Sequence, residues 1–218
     1  MSAHQPEPRA ARAEASAGSL HPIVSIPVGV GTSPKRKFPR ANALAVAKEL
    51  CAALQPCCER LIVAGSLRRR KSAVGDVEIL YIPRFEDRQF DLLTVAPMNL
   101  AEEAIGGMMC RGLLSKRASK TGSFAWGAKN KLALHRSGIP VDLFAANEEN
   151  WWNYLVCRTG PADSNTRICM AAQQRGWKWT PYGAGFSRSD GGETYQVESE
   201  ADVFRFVGLP FAEPWERA

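Results

Sequence analysis

Apolar residues follow a helical period in the first regular part of the chain and then give way to short β-branched runs. Between Pro39 and Leu54 they recur every three or four positions and Pro56 follows, which predicts a helix. Two apolar runs, LIVA at 61–64 and ILYI at 79–82, predict strands. The segment between them, GSLRRRKSAVGDVE, is polar and basic and predicts a turn that joins the two strands.

The middle of the chain predicts helical material followed by a hairpin. A polar stretch reaches about Phe90, and the helical pattern after it is interrupted at Pro97 and continues over 99–110. KLALH at 131–135 and IPVDLFA at 139–145 flank a short polar connection that contains glycine. These two runs therefore predict a β-hairpin.

The last part of the chain predicts two longer helices and a final short one. Helical spacing predicts one helix that includes residues 151–155 and another over 163–175. The polar turn at 189–192 predicts one short strand on each side of it. Ser199 and Asp202 have the spacing of a capping box, which predicts the start of the short helix.

Composition and charge narrow the classes of protein. Of 218 residues 45% are hydrophobic and 23% are charged, as in an ordinary globular protein, and no run of about twenty apolar residues predicts a membrane span. Residues 1–37 are rich in Ala, Pro, Ser and Gly, and predict a flexible tail. The net charge of +6 is concentrated between residues 35 and 136. This basic half favours a polyanionic partner, with a merely solvated basic surface as the alternative.

Three carboxylates interrupt the predicted strands. Asp76 and Glu78 are two positions apart, so in a strand they share one face, and Asp142 lies among apolar neighbours in a later strand. Like charges this close repel unless cations lie between them, and an acid in an apolar strand is typical of a functional site. The pattern favours a divalent-cation site; acids that merely decorate a sheet are the alternative.

These motifs resemble the palm and thumb domains of X-family DNA polymerases, the polymerase-beta-like nucleotidyltransferases, over about Phe38 to Arg217. The resemblance rests on the ordered set GSLRRRKSAVGDVE, PVDLF, RTG and VFRFVGLPF, and in size the chain resembles minimal viral or phage members. It implies an α+β fold, with a nucleotidyltransferase palm built on a mixed, mostly antiparallel sheet over 38–146. A smaller thumb-like subdomain is expected over 147–218. We expect a cytoplasmic protein of a bacterium or a virus-infected cell.

The resemblance also implies the chemistry. Asp76, Glu78 and Asp142 are expected to be the catalytic residues and the ligands of two Mg²⁺ ions, with Mn²⁺ as a possible substitute. Asp76 and Glu78 would hold the nucleotide-bound ion, and Asp142, together with Asp76, the ion beside the 3′-hydroxyl. The implied partners are a dNTP and primer–template or gapped DNA, with no membrane, and the protein is expected to be a monomer.

Nucleotide-binding residues are carried over in the same way. Gly65 and Ser66 are expected to open a short helix whose N–H groups and hydroxyl cradle the triphosphate. The bond between Gly160 and Pro161 is predicted to be cis. The full implied set is Gly65, Ser66, Arg69, Gly75, Arg158, Thr159, Gly160 and Asn165.

DNA contacts are expected from Lys129, Lys131 and Tyr182. The two lysines share a face if the strand alternates regularly, so both could meet a DNA backbone. For Tyr182, and for Asn165 at the new base pair, simple packing is the alternative.

Several positions depart from the family pattern. Glu78 stands where the polymerases usually have Asp, Cys157 and Arg158 replace an aromatic pair beside the sugar, and Pro140 replaces a basic residue. Three functions therefore stay open: a templated DNA polymerase in DNA repair or replication, a template-independent or non-DNA nucleotidyltransferase, and a catalytically weakened DNA-binding protein.

Overall fold

The computed structural model describes residues 36–217, so nearly all of the predicted tail over 1–37 lies outside the described residues. Six α-helices, two short 3₁₀ helices (Gln55–Cys57 and Pro214–Glu216) and twelve strands are assigned in this range. In chain order the elements are β1 (Phe38–Pro39), α1 (Arg40–Leu54), β2 (Cys58–Val63), α2 (Gly65–Arg68), β3 (Ala73–Val74), β4 (Val77–Pro83), β5 (Phe85–Gln89), β6 (Val95–Asn99), α3 (Leu100–Cys110), β7 (Leu114–Lys116), β8 (Asn130–His135), β9 (Pro140–Ala145), α4 (Trp151–Thr159), α5 (Ala162–Gln174), β10 (Trp177–Trp179), β11 (Gly185–Arg188), β12 (Thr194–Gln196) and α6 (Glu200–Phe206).

A five-stranded sheet in the order β2-β4-β9-β8-β7 forms the centre of the first part. Strands β4 and β9 run parallel, and the other neighbours in this sheet are antiparallel. The predicted α+β class and the mixed, mostly antiparallel sheet are therefore confirmed. The predicted helix over 40–54 and the hairpin of β8 and β9 are also present.

The two faces of this sheet bury different side chains because successive residues of a strand point to opposite sides. On one face Val77, Ile79 and Tyr81 pack in a core that includes Leu50 of α1 and Ile105 of α3. The opposite face carries Leu80, Ile82 and Phe144, which α4 covers with Trp151 and Tyr154. Glu78 and Asp142 precede Leu80 and Phe144 by two positions, so they lie on this second face, next to α4.

The C-terminal part has its own core. Helices α5 and α6 pack with the antiparallel sheet β10-β11-β12 around apolar residues such as Ile168 and Val203. The ring of Phe206 stacks on Phe186 with ring centroids 4.4 Å apart, and on Tyr195 at 4.3 Å. Helix α6 begins as predicted, because the Ser199 side chain accepts a hydrogen bond from the Asp202 N–H.

One predicted element is wrong. Residues 91–96 were expected to be helical, whereas β5 and β6 form an antiparallel hairpin over Phe85–Asn99, and helix α3 begins only at Leu100 with Asn99 as its cap. All five residues of β5 are exposed, so the strand has no buried face and no apolar alternation by which to recognise it. None of the helices in residues 36–217 combines the length and apolar character needed to span a membrane.

Candidate functional site

The parallel pairing of β4 and β9 brings the three predicted acids together. In this register Glu78 lies opposite Asp142 on the neighbouring strand, and Asp76 immediately precedes β4. Neighbouring strands lie about 4.8 Å apart, so the three residues occupy one end of a strand pair. Asp76 and Asp142 also line the same cleft of about 460 Å³, together with the predicted Gly75.

The Gly65 turn packs directly against the second acid. Gly65 has φ +61°, and a Cβ atom built there would lie 1.8 Å from Oε2 of Glu78. The Ala64 N–H donates to the Glu78 carbonyl at 2.8 Å, which fixes the turn to β4. Any other residue at position 65 would need a strained backbone and a displaced Glu78 carboxylate, so glycine is favoured at this turn. As predicted, a short helix, α2, begins at this glycine.

Burial and charge act together on Glu78. Burial, and after it the neighbouring carboxylates of Asp76 and Asp142, raise the pKa of Glu78 to about 7, although Arg158 and Arg69 act in the opposite direction. The three carboxylates thus repel one another in a partly buried position. A cation bound between them would relieve this repulsion.

The three predicted metal ligands are near one another, but their carboxylates do not yet converge on one point. Within residues 36–217, no group of three His, Cys, Asp or Glu side chains is already arranged to hold a metal ion. The Glu78 carboxylate lies against Gly65, and Asp142 forms an ion pair with Arg117 at 2.5 Å. The donors are nevertheless all carboxylate oxygens, which Mg²⁺ prefers, and they repel one another as described above. The residues therefore fit a divalent ion in chemistry and in backbone register, and the side chains of Glu78 and Asp142 would have to turn towards it.

Unpartnered polar atoms concentrate at the predicted nucleotide residues. In the described part of the chain five buried side-chain atoms lack a hydrogen-bond partner. Four of them are Ser66 Oγ, Arg69 Nε, Arg158 Nε and Asn165 Oδ1, all in the nucleotide-binding set. Buried polar atoms are normally hydrogen-bonded in native proteins, so this concentration favours a polar ligand here.

The turn after α4 connects these residues. The peptide bond between Gly160 and Pro161 is cis, which confirms the prediction. Arg69 donates to the Thr159 carbonyl, and a Cβ atom at Gly160 would lie 3.3 Å from Arg69 Nη1. Asn165 donates through Nδ2 to the Cys157 carbonyl at 2.9 Å. Helix α2 and the end of α4 thus form two sides of one polar site.

Arg158 lies in an aromatic cage beside this turn. Its guanidinium carbon is 3.8 Å from the ring centroid of Phe144, 5.4 Å from that of Tyr154 and 5.3 Å from that of Tyr182. Nη2 also donates to the Tyr182 hydroxyl at 2.9 Å. Cation–π contacts of this kind hold an arginine without neutralising its charge. Arg158 therefore remains a positive group close to the acids.

The chain is similar to known DNA polymerases both in sequence and in structure. Residues 154–218 match the DNA polymerase beta thumb family. Among solved structures the chain is similar to the polymerase beta of Leishmania infantum in a ternary P/T complex, with a TM-score of 0.63 and 18% identity over 84% of this chain and 77% of that one. No curated protein sequence matches the chain. The resemblance to polymerase-beta-like X-family polymerases and their palm-and-thumb fold is confirmed.

In the palm, one of the predicted DNA contacts is wrong. Lys131 is buried, with 2% of the residue exposed, and its Nζ donates to the Glu102 carboxylate and, at 2.8 Å, to the Gly127 carbonyl. Lys131 faces the core side of β8 because α3 supplies its charged partner, so it cannot meet a DNA backbone. Lys129 and Tyr182 are exposed and line the same cleft of about 640 Å³, and their DNA contacts remain predictions.

A charged network between palm and thumb escaped the sequence analysis. Arg68 of α2 donates to Thr159 Oγ1 at 2.7 Å and to Glu200 of α6 at 2.9 Å, and Arg217 donates to the same carboxylate at 2.9 Å. Burial would raise the pKa of Glu200, but the hydrogen bonds and charge of Arg68 and Arg217 hold it below its ordinary value. The basic run at 68–70 was visible in the sequence, but its acidic partner lies 132 positions away.

Proposed function

We propose that this protein is a template-directed DNA polymerase that adds deoxynucleotides to a primer 3′ end or a short gap, in DNA repair or replication. The observation that carries the proposal is the β4–β9 register, which places Asp76, Glu78 and Asp142 together beside the Gly65 turn. The similarity of fold and thumb to polymerase beta supports it.

The acids provide the catalytic end of the site. Asp76, Glu78 and Asp142 would hold two Mg²⁺ ions, or Mn²⁺, and such ions polarise an attacking 3′-hydroxyl and neutralise a departing pyrophosphate. Asp142 lines the cleft together with Asp76. By the family resemblance, Asp142 is the proposed acceptor for the proton of the primer hydroxyl.

The part of the site formed by α2 and the end of α4 would hold the nucleotide. The unpartnered Ser66 hydroxyl and the guanidinium of Arg69 are the donors offered to the triphosphate, and a charged guanidinium forms stronger hydrogen bonds with phosphate than a neutral donor does. Thr159 and Gly160 would lie beneath the sugar, and Asn165 beside the base. Arg158, held in its aromatic cage, would add positive charge near the same phosphates.

Primer extension tests this proposal directly. A labelled primer on a gapped template is supplied with each of the four dNTPs and four NTPs, with Mg²⁺ or Mn²⁺, and the reaction is repeated without the template strand. Template-dependent extension that is lost in Asp142→Ala supports the proposal, and extension without a template favours the template-independent alternative. No extension by folded protein with either metal would refute it.

A catalytically weakened DNA-binding protein is the second candidate. The position of the Glu78 carboxylate favours it, because that carboxylate packs against the Gly65 turn where a triphosphate would lie. If the Glu78 side chain stays in this position, it occupies the space at the Gly65 turn in which the triphosphate would bind. Normal DNA binding without nucleotide incorporation, unchanged in Asp142→Ala, would support this candidate.

A further inference from the structure

We infer that Arg117, together with Arg36 and Lys120, binds the phosphodiester backbone of the DNA strand whose 3′ end lies at Asp142. This inference rests on the proposed function and deepens it, since it assigns the primer-strand contact to a residue outside the motifs of the active site. The positively charged segment that contains Arg117 and Lys120 is otherwise without a role in the proposed mechanism.

The cleft beside the acids is lined by groups of both charges. Its volume is about 460 Å³, and its lining includes the acids Asp76 and Asp142 and the basic residues Arg36, Arg117 and Lys120. Two acids and three basic groups in one cleft suit a ligand that reacts at one end and is anionic at the other. A nucleic acid strand with a free 3′-hydroxyl and a phosphate behind it has this character.

The position of Arg117 is fixed from β8. Its N–H donates to the Leu132 carbonyl at 2.9 Å and its Nε to the Ala133 carbonyl at 3.3 Å, while Nη2 binds Oδ1 of Asp142 at 2.5 Å. A guanidinium has five N–H donors, and these side-chain contacts use two of them. With 27% of the side chain exposed to the cleft, Arg117 can bind Asp142 and a phosphate at the same time.

The positive charge beside Asp142 comes from outside β9. Pro140 lies two positions before Asp142 on the same face of β9, and it has neither a charge nor an N–H to offer. Residues of β8 lie opposite, with Leu132 paired to Asp142. Arg117 directly follows the edge strand β7, and its side chain extends across β8 to Asp142 on β9. The positive charge beside the third acid is thus supplied from the sheet edge.

The opposing explanation is a purely structural ion pair that closes the edge of the sheet. The two explanations differ in one measurable respect. If the ion pair is only structural, the effect of Arg117 on DNA affinity does not depend on the charge of any one phosphodiester linkage. If Arg117 binds a phosphate, its effect disappears when that linkage is made neutral. The test therefore removes the charge from the DNA as well as from the protein.

Binding is measured by fluorescence anisotropy in the absence of nucleotide, with a recessed primer–template and with the same DNA carrying a methylphosphonate at the last primer linkage. We expect the neutral linkage to weaken binding by unmodified protein about tenfold, within the range of a charge-assisted hydrogen bond. Arg117→Met should bind both DNAs equally. Arg111→Met is the matched control, because Arg111 is exposed and lies outside the cleft. The methylphosphonate should weaken DNA binding by this variant as much as it weakens binding by the unmodified protein.

Salt dependence gives a second readout. For Arg117→Met the slope of log affinity against log salt should be smaller by about one than for the unmodified protein, as expected for the loss of one phosphate contact. If Arg117→Met fails to fold, Arg117→Gln keeps an amide near Asp142 and Ala133 and serves in the same comparison.

Equal weakening of unmodified protein and of the Arg117 variant by the methylphosphonate would overturn the inference, as would no weakening of the unmodified protein. These results are independent of catalysis, because no nucleotide is present. If the methylphosphonate effect depends on Arg117 but the protein extends no primer, the phosphate site is supported and the polymerase function is rejected. If the protein extends primers but the methylphosphonate effect does not depend on Arg117, the polymerase function is supported and the phosphate site is rejected.

Discussion

Replacing Glu78 with glutamine should make the protein more stable at pH 8, although it removes a proposed catalytic group. The folded protein raises the pKa of Glu78 from 4.5 to about 7 through burial and the nearby Asp76 and Asp142 carboxylates. One pKa unit corresponds to about 1.4 kcal/mol, so ionising Glu78 in the folded state costs up to about 3 kcal/mol. Glutamine has nearly the same shape and no charge.

The sign of the pH dependence follows from the direction of this shift. A carboxyl group whose folded pKa is raised gives its full stability below the unfolded pKa of 4.5, and that stability is lost as the pH rises to about 7. The advantage of Glu78→Gln should therefore increase between pH 4.5 and 7 and stay constant above pH 7. Mg²⁺ should narrow the gap at pH 8 if the ion stabilises ionised Glu78.

Urea unfolding of both proteins at pH 5, 6, 7 and 8 measures this difference, with far-UV circular dichroism as the signal. Glu149→Gln is the matched control, because Glu149 is exposed and its loss should change stability by less than about 0.5 kcal/mol at every pH. A stability difference for Glu78→Gln that does not change with pH would refute the reasoning. It would mean that Arg69 and Arg158 already keep the carboxylate ionised at no net cost.

Four further outcomes follow from the site. Glu78→Gln should abolish primer extension while Glu78→Asp retains it, and equal activity of the two would mean that the metal site is wrongly assigned. Asp142→Ala should lower the extension rate about a thousandfold, since a bound metal ion contributes several kcal/mol, with DNA affinity measured by anisotropy as the control. Gly65→Ala should destabilise the protein in urea more than Gly112→Ala, which has a similar positive φ but no atom within 4 Å of its Cβ; equal losses would contradict the close packing of Glu78. Lys131→Met should lower thermal stability and leave the salt dependence of DNA binding unchanged, because Lys131 is buried. A smaller dependence of DNA affinity on salt in this variant would show that Lys131 does contact DNA.

The sequence was sufficient where local pattern and short motifs carry the information. The helical period of 40–54, the apolar strands and the capping box at Ser199 are each decided by neighbouring residues. The pairing of Glu78 with Asp142 followed from the family resemblance and agrees with the register of β4 and β9. The cis bond before Pro161 was predicted in the same way and is present.

The failures involve partners that are distant in sequence. Lys131 alternates with apolar residues as a surface lysine would, but its partner Glu102 comes from α3, 29 positions away. Arg117 reaches Asp142 only because β7 and β9 flank β8. In the hairpin of β5 and β6, β5 is fully exposed and β6 is only partly buried, so neither strand shows the regular apolar alternation that would identify it.

The parallel pairing of β4 with β9 has a consequence for assembly of the proposed active site. Between these strands the chain completes a surface hairpin, helix α3 and two antiparallel strands before Asp142 reaches Glu78. A slip of one residue in this pairing would turn Asp142 to the opposite side of the sheet from Glu78. The proposed nucleotide incorporation would therefore require a central sheet that is paired in full register, and its rate would report on correct folding.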